Sequence, residues 1–253
     1  MNTPGRLLLV PNALDHGNAP IPIEQVLPHG VLVQAAALTH WVVEDARSAR
    51  AFLKRVAMVT PLSAPLQAIS MVELPRARKG SRSGVAVAEW QALLAPARAG
   101  HDLGLLSEAG LPAVADPGAA LVEAAHATGV PVLPLAGPSA LLLALAASGL
   151  NGQSFAFVGY LPQETAARSR RLHELEGISR QHAQTQLFIE TPYRNPALAA
   201  ALLAELKPGT RLAIGCGLTL EGGWSQMRTI EQWRRSPPVV SDRMPAVFAL
   251  LAA

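Results

Sequence analysis

Among its 253 residues the chain has a single cysteine, Cys216. No disulfide can close within it, and no cluster of thiolates can hold a metal. Aromatic residues amount to only 4%. The interior must therefore be filled mainly by Leu, Ala and Val, a small-aliphatic core that suits helices packed closely on a sheet better than a β-sandwich. Neither sign of charge dominates, since 21 Lys and Arg face 18 Asp and Glu for a formal net charge of +3. The mildly basic balance, with a pI near 9.5, permits a polyanionic partner without demanding one.

Several chemistries are missing as well. The histidines stand at 16, 29, 40, 101, 126, 173 and 182, with no H-x-x-x-H pair and no accompanying carboxylate cluster, so no metal site is expected. There is no G-x-S-x-G elbow, no G-x-G-x-x-G after the first apolar run and no G-x-x-x-x-G-K-S/T. Hydrolase, dinucleotide and nucleoside triphosphate sites are thereby disfavoured. The first residues, "MNTPGRLLLVPNALDHG", hold too short an apolar run for a signal peptide. One uncharged stretch, Val130–Leu150, is about as long as a membrane span, but Pro131, Pro134, Gly137 and Pro138 break its first half. It reads as strand, tight turn and buried helix. A cytoplasmic protein without membrane contact is expected.

What is present is a steady alternation of short apolar runs with helical patterns. Strands are predicted at Arg6–Val10, His40–Glu44, Ala68–Glu73, Asp102–Ser107 and Val130–Leu135. Helices are predicted after Asp45, in "VAVAEWQALLAPARAG", at Ala119–Thr128 and at Ser139–Ser148. This alternation argues for a parallel sheet covered by helices. After "SGLNGQ" the pattern changes to a strand in "SFAFVGYLP", a charged helix from Glu164 to Leu175, and a strand and loop in "TQLFIETPYR". A helix Pro196–Leu206, a strand "TRLAIGCGLT", a Gly-Gly hairpin in "LEGGWSQMRTI" and a last strand in "MPAVFALLAA" follow. A second, mixed α/β domain is expected, with the boundary near Asn151–Gln153. The patch "PRARKGSRSG" at Pro75–Gly84 reads as a loop whose Arg76, Arg78, Lys79 and Arg82 either are simply solvated or contact RNA phosphates.

In a parallel sheet, ligands gather at the carboxyl ends of the strands. The informative turns are Pro11–Asn12, Glu44–Asp45, Ser107–Gly118 and Gly137–Ser139. Gly110 allows positive φ and close approach to the backbone. Pro112 and Pro117 stiffen the loop. Asp116 before Pro117 has the pattern of a helix N-cap, as have Asp45 and Ser139 before their own helices, so for each a capping role stands beside a ligand role.

Taken in order, these turns resemble the tetrapyrrole methylase superfamily, methyltransferases that bind S-adenosylmethionine between two α/β domains. The likeness is strongest to the bacterial branch that methylates a cytidine ribose 2'-hydroxyl in small-subunit ribosomal RNA. That branch's "VPTPIGN" is matched by "VPNALDHGN", its "AEDTR" by "VEDAR", its "SDAGTPLISDPG" by "SEAGLPAVADPG" and its "PLPGPSA" by "PLAGPSA". Its "GFLP" is matched by "GYLP" and its "YESPHR" by "IETPYR". The resemblance implies a two-domain fold, a mostly parallel N-terminal domain over 1–151 and a mixed α/β domain over 152–253, with the cofactor cleft between them. It implies cofactor contacts at Pro11, Ser107, Glu108, Ala109, Gly110, Val114, Asp116, Ser139 and Ala140, and from the second domain at Tyr160, Leu161, Glu190 and Leu218. It also implies a homodimer acting on RNA or a ribosomal subunit.

The chain departs from that branch on the acceptor side. "VELPRARKGSRSG" replaces a His- and Asn-containing segment, "GLTLEGG" replaces "ELTK", and the Thr of "AEDTR" is lost. A hydroxyl acceptor must shed a proton, and a base is worth about 10²–10⁴-fold. Glu44 and Asp45 are the candidates at the sheet edge. Two further readings accompany RNA methylation: methylation of a tetrapyrrole or other small molecule, and a homologue that binds the cofactor without catalysis.

Overall fold

The computed structural model describes residues 5–15, 21–75 and 85–253. The basic patch Arg76, Arg78, Lys79 and Arg82 lies outside the described residues, as does His16. The chain divides into two compact units, Met1–Pro138 and Ser139–Ala253.

In the first unit five short strands alternate with helices. They are β1 (Leu7–Val10), β2 (His40–Val43), β3 (Ser70–Glu73), β4 (Leu103–Leu106) and β5 (Val132–Pro134). The sheet order is β3-β2-β4-β1-β5, and every neighbouring pair is parallel. A parallel sheet covered on both faces needs strands without polar alternation, and "LLLV" and "LGLL" supply them, β4 being buried throughout. On one face α1 (His29–Ala37) and α2 (Ala46–Val59) pack around Trp41 and Phe52, whose rings meet edge to face at 6.2 Å. The core face of α2 is Ala49, Phe52, Leu53 and Val56, the spacing of one helical stripe. Gly104 in β4 makes room for the indole, since a Cβ there would lie 2.6 Å from a ring carbon of Trp41. On the other face α3 (Val87–Leu93), α4 (Ala95–Arg98) and α5 (Ala119–Ala127) cover Leu94, Leu105 and Leu121.

Two local outcomes differ from the sequence pattern. Helix α1 forms in "HGVLVQAAA", which has no side-chain N-cap and is apolar nearly all round. The single helix expected before β4 is broken into α3 and α4, with Pro96 in the first turn of α4, where its missing N–H costs nothing.

The second unit opens with α6 (Ala140–Ser148) and continues with β6 (Phe155–Tyr160), α7 (Thr165–His182), β7 (Thr185–Glu190), α8 (Asn195–Glu205), β8 (Arg211–Cys216), β9 (Trp224–Thr229), α9 (Ile230–Arg235) and β10 (Ala246–Leu251). Its sheet order is β6-β7-β10-β8-β9. Strands β6 and β7 are parallel, β10 runs antiparallel to β7 and β8, and β8–β9 is the expected hairpin. The division of the chain falls one helix earlier than 151/152. The reason is packing: Ala144 and Leu145 of α6 bury against Leu187, Ala213, Val247 and Ala249 of the second sheet. The uncharged stretch Val130–Leu150 thus resolves into β5, a Gly-Pro turn and α6. Among the described residues no helix is long and apolar enough to cross a membrane.

Candidate functional site

Because all five strands of the first sheet run the same way, their carboxyl ends share one edge. Pro11, Glu44, Ser107 and Leu135 each follow the last residue of a strand on that edge. The two turns at its centre are tied together. Asn12 N–H donates to Gly110 O at 2.9 Å and Gly110 N–H returns to Asn12 O at 3.1 Å, a one-residue antiparallel bridge. The Asn12 side chain completes the tie, its Nδ2 donating to Ser107 O (3.3 Å) and Glu108 O (2.9 Å), while its Oδ1 accepts from Ala13 N–H. Gly110 sits at φ +66°, the left-handed region that glycine occupies without strain. Gly137, in the last turn of the unit, lies so close to Pro11 that a Cβ would stand 2.2 and 2.4 Å from its ring carbons. Backbone and prolines, rather than long side chains, fix this edge. Asn12 was not among the expected ligand residues; the only trace of it in the sequence is its place in the turn after the first strand.

The carboxylates of the edge are woven into the same network. Glu44 accepts from the Glu108 N–H at 3.2 Å. Ser48 Oγ donates to Asp45 (2.8 Å) and to Glu108 Oε1 (3.2 Å), and Glu73 accepts from the Ala46 N–H at 3.0 Å. Asp45 is the N-cap of α2 and accepts from Ser48 N–H at 2.7 Å. Those two Ser48 bonds hold its carboxyl below the usual range. Asp116 does not cap a helix. Helix α5 starts at Ala119, with Gly118 at its N-cap and φ +128°, so the turn runs past the Asp-Pro pair before the helix begins. Freed from capping, Asp116 is pushed up to about 7, first by burial and then by the charges of Glu44 and Glu108. Ser107 is 2% exposed, and its Oγ has no hydrogen-bond partner among the described residues. Ala109 is half-buried and Val114 is exposed on the same loop.

In the second unit the implied residues also share one edge. The ends of β6, β7 and β8 and the start of β10 come together, as the registers Tyr160↔Ile189, Ala246↔Glu190 and Ala246↔Cys216 require. Tyr160 is exposed and Leu161 is buried beneath it. Glu190 is buried and paired with Arg194 at 2.7 Å, and it also accepts from Thr191 N–H at 2.8 Å. Leu218 packs against Gly215. Ser139 holds the N-cap position of α6 and is buried, but its side chain makes no capping bond; Ala140 begins the helix. The expected positions therefore form two sets. Pro11, Glu44, Asp45 and Ser107–Asp116 belong to the first unit, and Ser139, Ala140, Tyr160, Leu161, Glu190 and Leu218 to the second.

Such an edge has the chemistry of a rigid receptor. Its backbone groups are fixed, its Glu44, Glu108 and Asp116 form no ion pair among the described residues, and one buried hydroxyl is unsatisfied there, so a ligand with positive charge and hydrogen-bonding groups fits it. Fold and edge together define a class: two-unit α/β proteins with a parallel sheet followed by a mixed one.

Solved structures of that class cover this chain almost completely. The methyltransferase CobJ matches 98% of the chain and 95% of its own, with a TM-score of 0.56 at 19% identity. Uroporphyrin-III C-methyl transferase from Thermus thermophilus, solved in complex with S-adenyl homocysteine, matches 98% and 97% with a TM-score of 0.52 at 19% identity. The family model for tetrapyrrole (corrin/porphyrin) methylases matches residues 32–229. The chain belongs to that family. Among curated proteins, the ribosomal RNA small subunit methyltransferase I of Mesorhizobium japonicum is 39% identical over 137 residues, 54% of this chain and 45% of that protein. The protein of the same name from Vibrio cholerae is 42% identical over 104 residues, 41% and 35%. The chain thus spans less than half the length of these curated relatives in the matched regions.

Proposed function

We propose that the chain is an S-adenosylmethionine-dependent methyltransferase of small-subunit ribosomal RNA, acting on a ribose 2'-hydroxyl, in the cytoplasm and as a homodimer. The observation that carries this reading is the order of the turn motifs. Each of the motifs shared with the ribosomal branch falls at a strand end on one of two sheet edges. The curated relatives' shared name, at 39% and 42% identity, supports the RNA substrate over a tetrapyrrole.

The residues of the first edge fit the cofactor. When bound, it supplies a methyl group on a positively charged sulfur. In this reading Glu108 and Asp116 provide negative charge for a cationic ligand, and Ser107 Oγ finds there the hydrogen-bond partner it lacks among the described residues. Gly110 keeps a Cβ out of the way. In the second unit, the family resemblance implies Ser139, Ala140, Tyr160, Leu161, Glu190 and Leu218 as cofactor residues. Glu44 is the base for the acceptor hydroxyl, because the Asp45 carboxylate is engaged by Ser48 as a cap and its depressed pKa makes it the poorer proton acceptor.

Incubation with methyl-labelled S-adenosylmethionine and ribosomal RNA from a strain lacking the gene tests the proposal. Label is expected at a ribose 2'-oxygen of the small-subunit RNA. Label in a porphyrin extract and none in RNA would establish the small-molecule reading. Calorimetric binding of the cofactor with label in neither would establish a non-catalytic protein.

A further inference from the structure

The chain contains only two tyrosines, Tyr160 and Tyr193. They lie on the same edge of the second sheet and are its most exposed aromatic residues, at 57% and 69%. Tyr160 ends β6, and Tyr193 sits in the turn Pro192–Arg194 that follows β7, the parallel neighbour of β6. The large rings Trp41, Trp233, Phe52, Phe188 and Phe248 are fully buried. In a protein so poor in aromatics, the exposure of the Tyr193 ring is not explained by core packing.

The surroundings of Tyr193 are built. Arg194 places its guanidinium 5.3 Å from the Tyr193 ring centroid. That guanidinium is itself anchored, with Nε and Nη2 donating to the buried Glu190 at 3.0 and 2.7 Å. The cation is thus committed to Glu190 and to the ring and steadies the phenol at the surface. A second cation stands on a turn fixed to the same edge. Asn195, fully buried at the start of α8, donates from Nδ2 to Ser241 O (3.4 Å) and Met244 O (3.0 Å), and Ser241 Oγ accepts from the N–H groups of Arg243 and Met244. Arg243 is exposed on this turn and makes no ion pair among the described residues.

We propose that Tyr193, with Arg243 on the neighbouring turn, forms a stacking platform for an unpaired base of an RNA substrate. An exposed ring offers a π-face to a base, and an arginine on an anchored turn meets the adjoining phosphate. This is the combination by which single strands are held. The inference rests on the RNA reading given above and adds to it the residues that grip the strand.

Fluorescence anisotropy of a labelled single-stranded oligocytidylate of about twelve nucleotides, in parallel with calorimetry of S-adenosylmethionine, tests it. Tyr193→Ala is expected to weaken oligonucleotide binding roughly 5- to 100-fold and to leave cofactor affinity unchanged. Tyr193→Phe, which keeps the ring, is expected to bind within about twofold of the parent. Arg243→Ala is expected to lower the salt slope by about 0.7. If the parent binds the oligonucleotide and Tyr193→Ala binds it equally well, the platform is wrong while the RNA reading stands. If Tyr193→Ala loses cofactor and oligonucleotide affinity together, the tyrosine belongs to the cofactor site and the platform is wrong. A parent protein that binds the cofactor but no oligonucleotide overturns the RNA reading and the platform with it.

Discussion

The carboxyl edges of the two sheets treat their acids in opposite ways. In the second unit Glu190 is buried and paired with Arg194, and away from that edge the buried Glu176 accepts from Lys207 N–H and Thr210 Oγ beside the start of β8. In the first unit Glu44, Glu108 and Asp116 gather without a cation among the described residues, and their mutual repulsion and burial lift Asp116 to about 7. Away from that edge the first unit pairs its acids normally, as Asp15 with Arg55 at 2.9 Å and Arg6 with Asp102 at 2.6 Å. A carboxylate paired inside the chain serves the fold. A group of carboxylates without a cation among the described residues works against the fold until a positive ligand arrives, which is the role proposed for the first edge.

The largest expected effect comes from breaking the paired edge. Arg194→Ala leaves Glu190 buried without its cation and is expected to cost about 3 kcal/mol, read as a lowered urea midpoint with unchanged slope. If its stability loss is below about 0.5 kcal/mol, the two edges do not differ in the way described.

Removing a charge from the unpaired edge should act on binding instead. Asp116→Asn is expected to weaken S-adenosylmethionine about three- to tenfold at pH 8 and to have little effect near pH 5.5, where the carboxyl is already protonated in the folded protein. The sign for stability is the reverse of the usual carboxylate. With a folded value of about 7 against an ordinary 3.8, the ligand-free fold loses stability as pH rises between those values, because the unfolded chain releases the proton first. Asp116→Asn should remove that decline. Titration calorimetry and denaturation at both pH values check the pair of outcomes, and a pH-independent parent would refute the assignment.

The smallest effect separates the two acids that follow β2. Asp45→Ala is expected to cost about 1 kcal/mol through the lost cap of α2. Because the Asp45 carboxyl is held below 3.8, the difference should shrink as pH falls beneath that value. Turnover of the folded variant should persist, whereas Glu44→Gln should fold normally and lose activity by about 10²-fold or more.

Much of this was legible in residue order. Apolar runs such as "LLLV" and "LGLL" announce buried parallel strands, and the Gly-Gly of "LEGGW" announces the β8–β9 hairpin. Helix α1 was not legible, because a stretch apolar on nearly all sides has no periodicity to read. The allegiance of α6 was hidden for a related reason. "ALLLALAAS" fits any apolar surface, and only the long-range contacts of Ala144 and Leu145 decide which sheet it joins. At the candidate site, turn residues identified the edge, but not how it is held. Asp116 has the local pattern of a cap and is not one, and Asn12 has no local pattern and ties two turns together. The first outcome is set by the turn that delays α5, the second by partners 95 and 96 residues away, beyond what local spacing encodes.

The position of β1 in the sheet has a consequence for synthesis. This strand, made before either of its partners, sits between β4 and β5 and pairs with no other strand among the described residues. At ribosomal rates of about 5–20 residues per second, Leu7–Val10 must wait roughly 5–20 seconds before Leu103–Leu106 exists to receive it. Throughout that interval "RLLLV" is a greasy, unmatched segment on a growing nascent chain, a natural target for a holding chaperone. The bridge from Asn12 to Gly110 therefore closes only after the middle of the protein has left the ribosome.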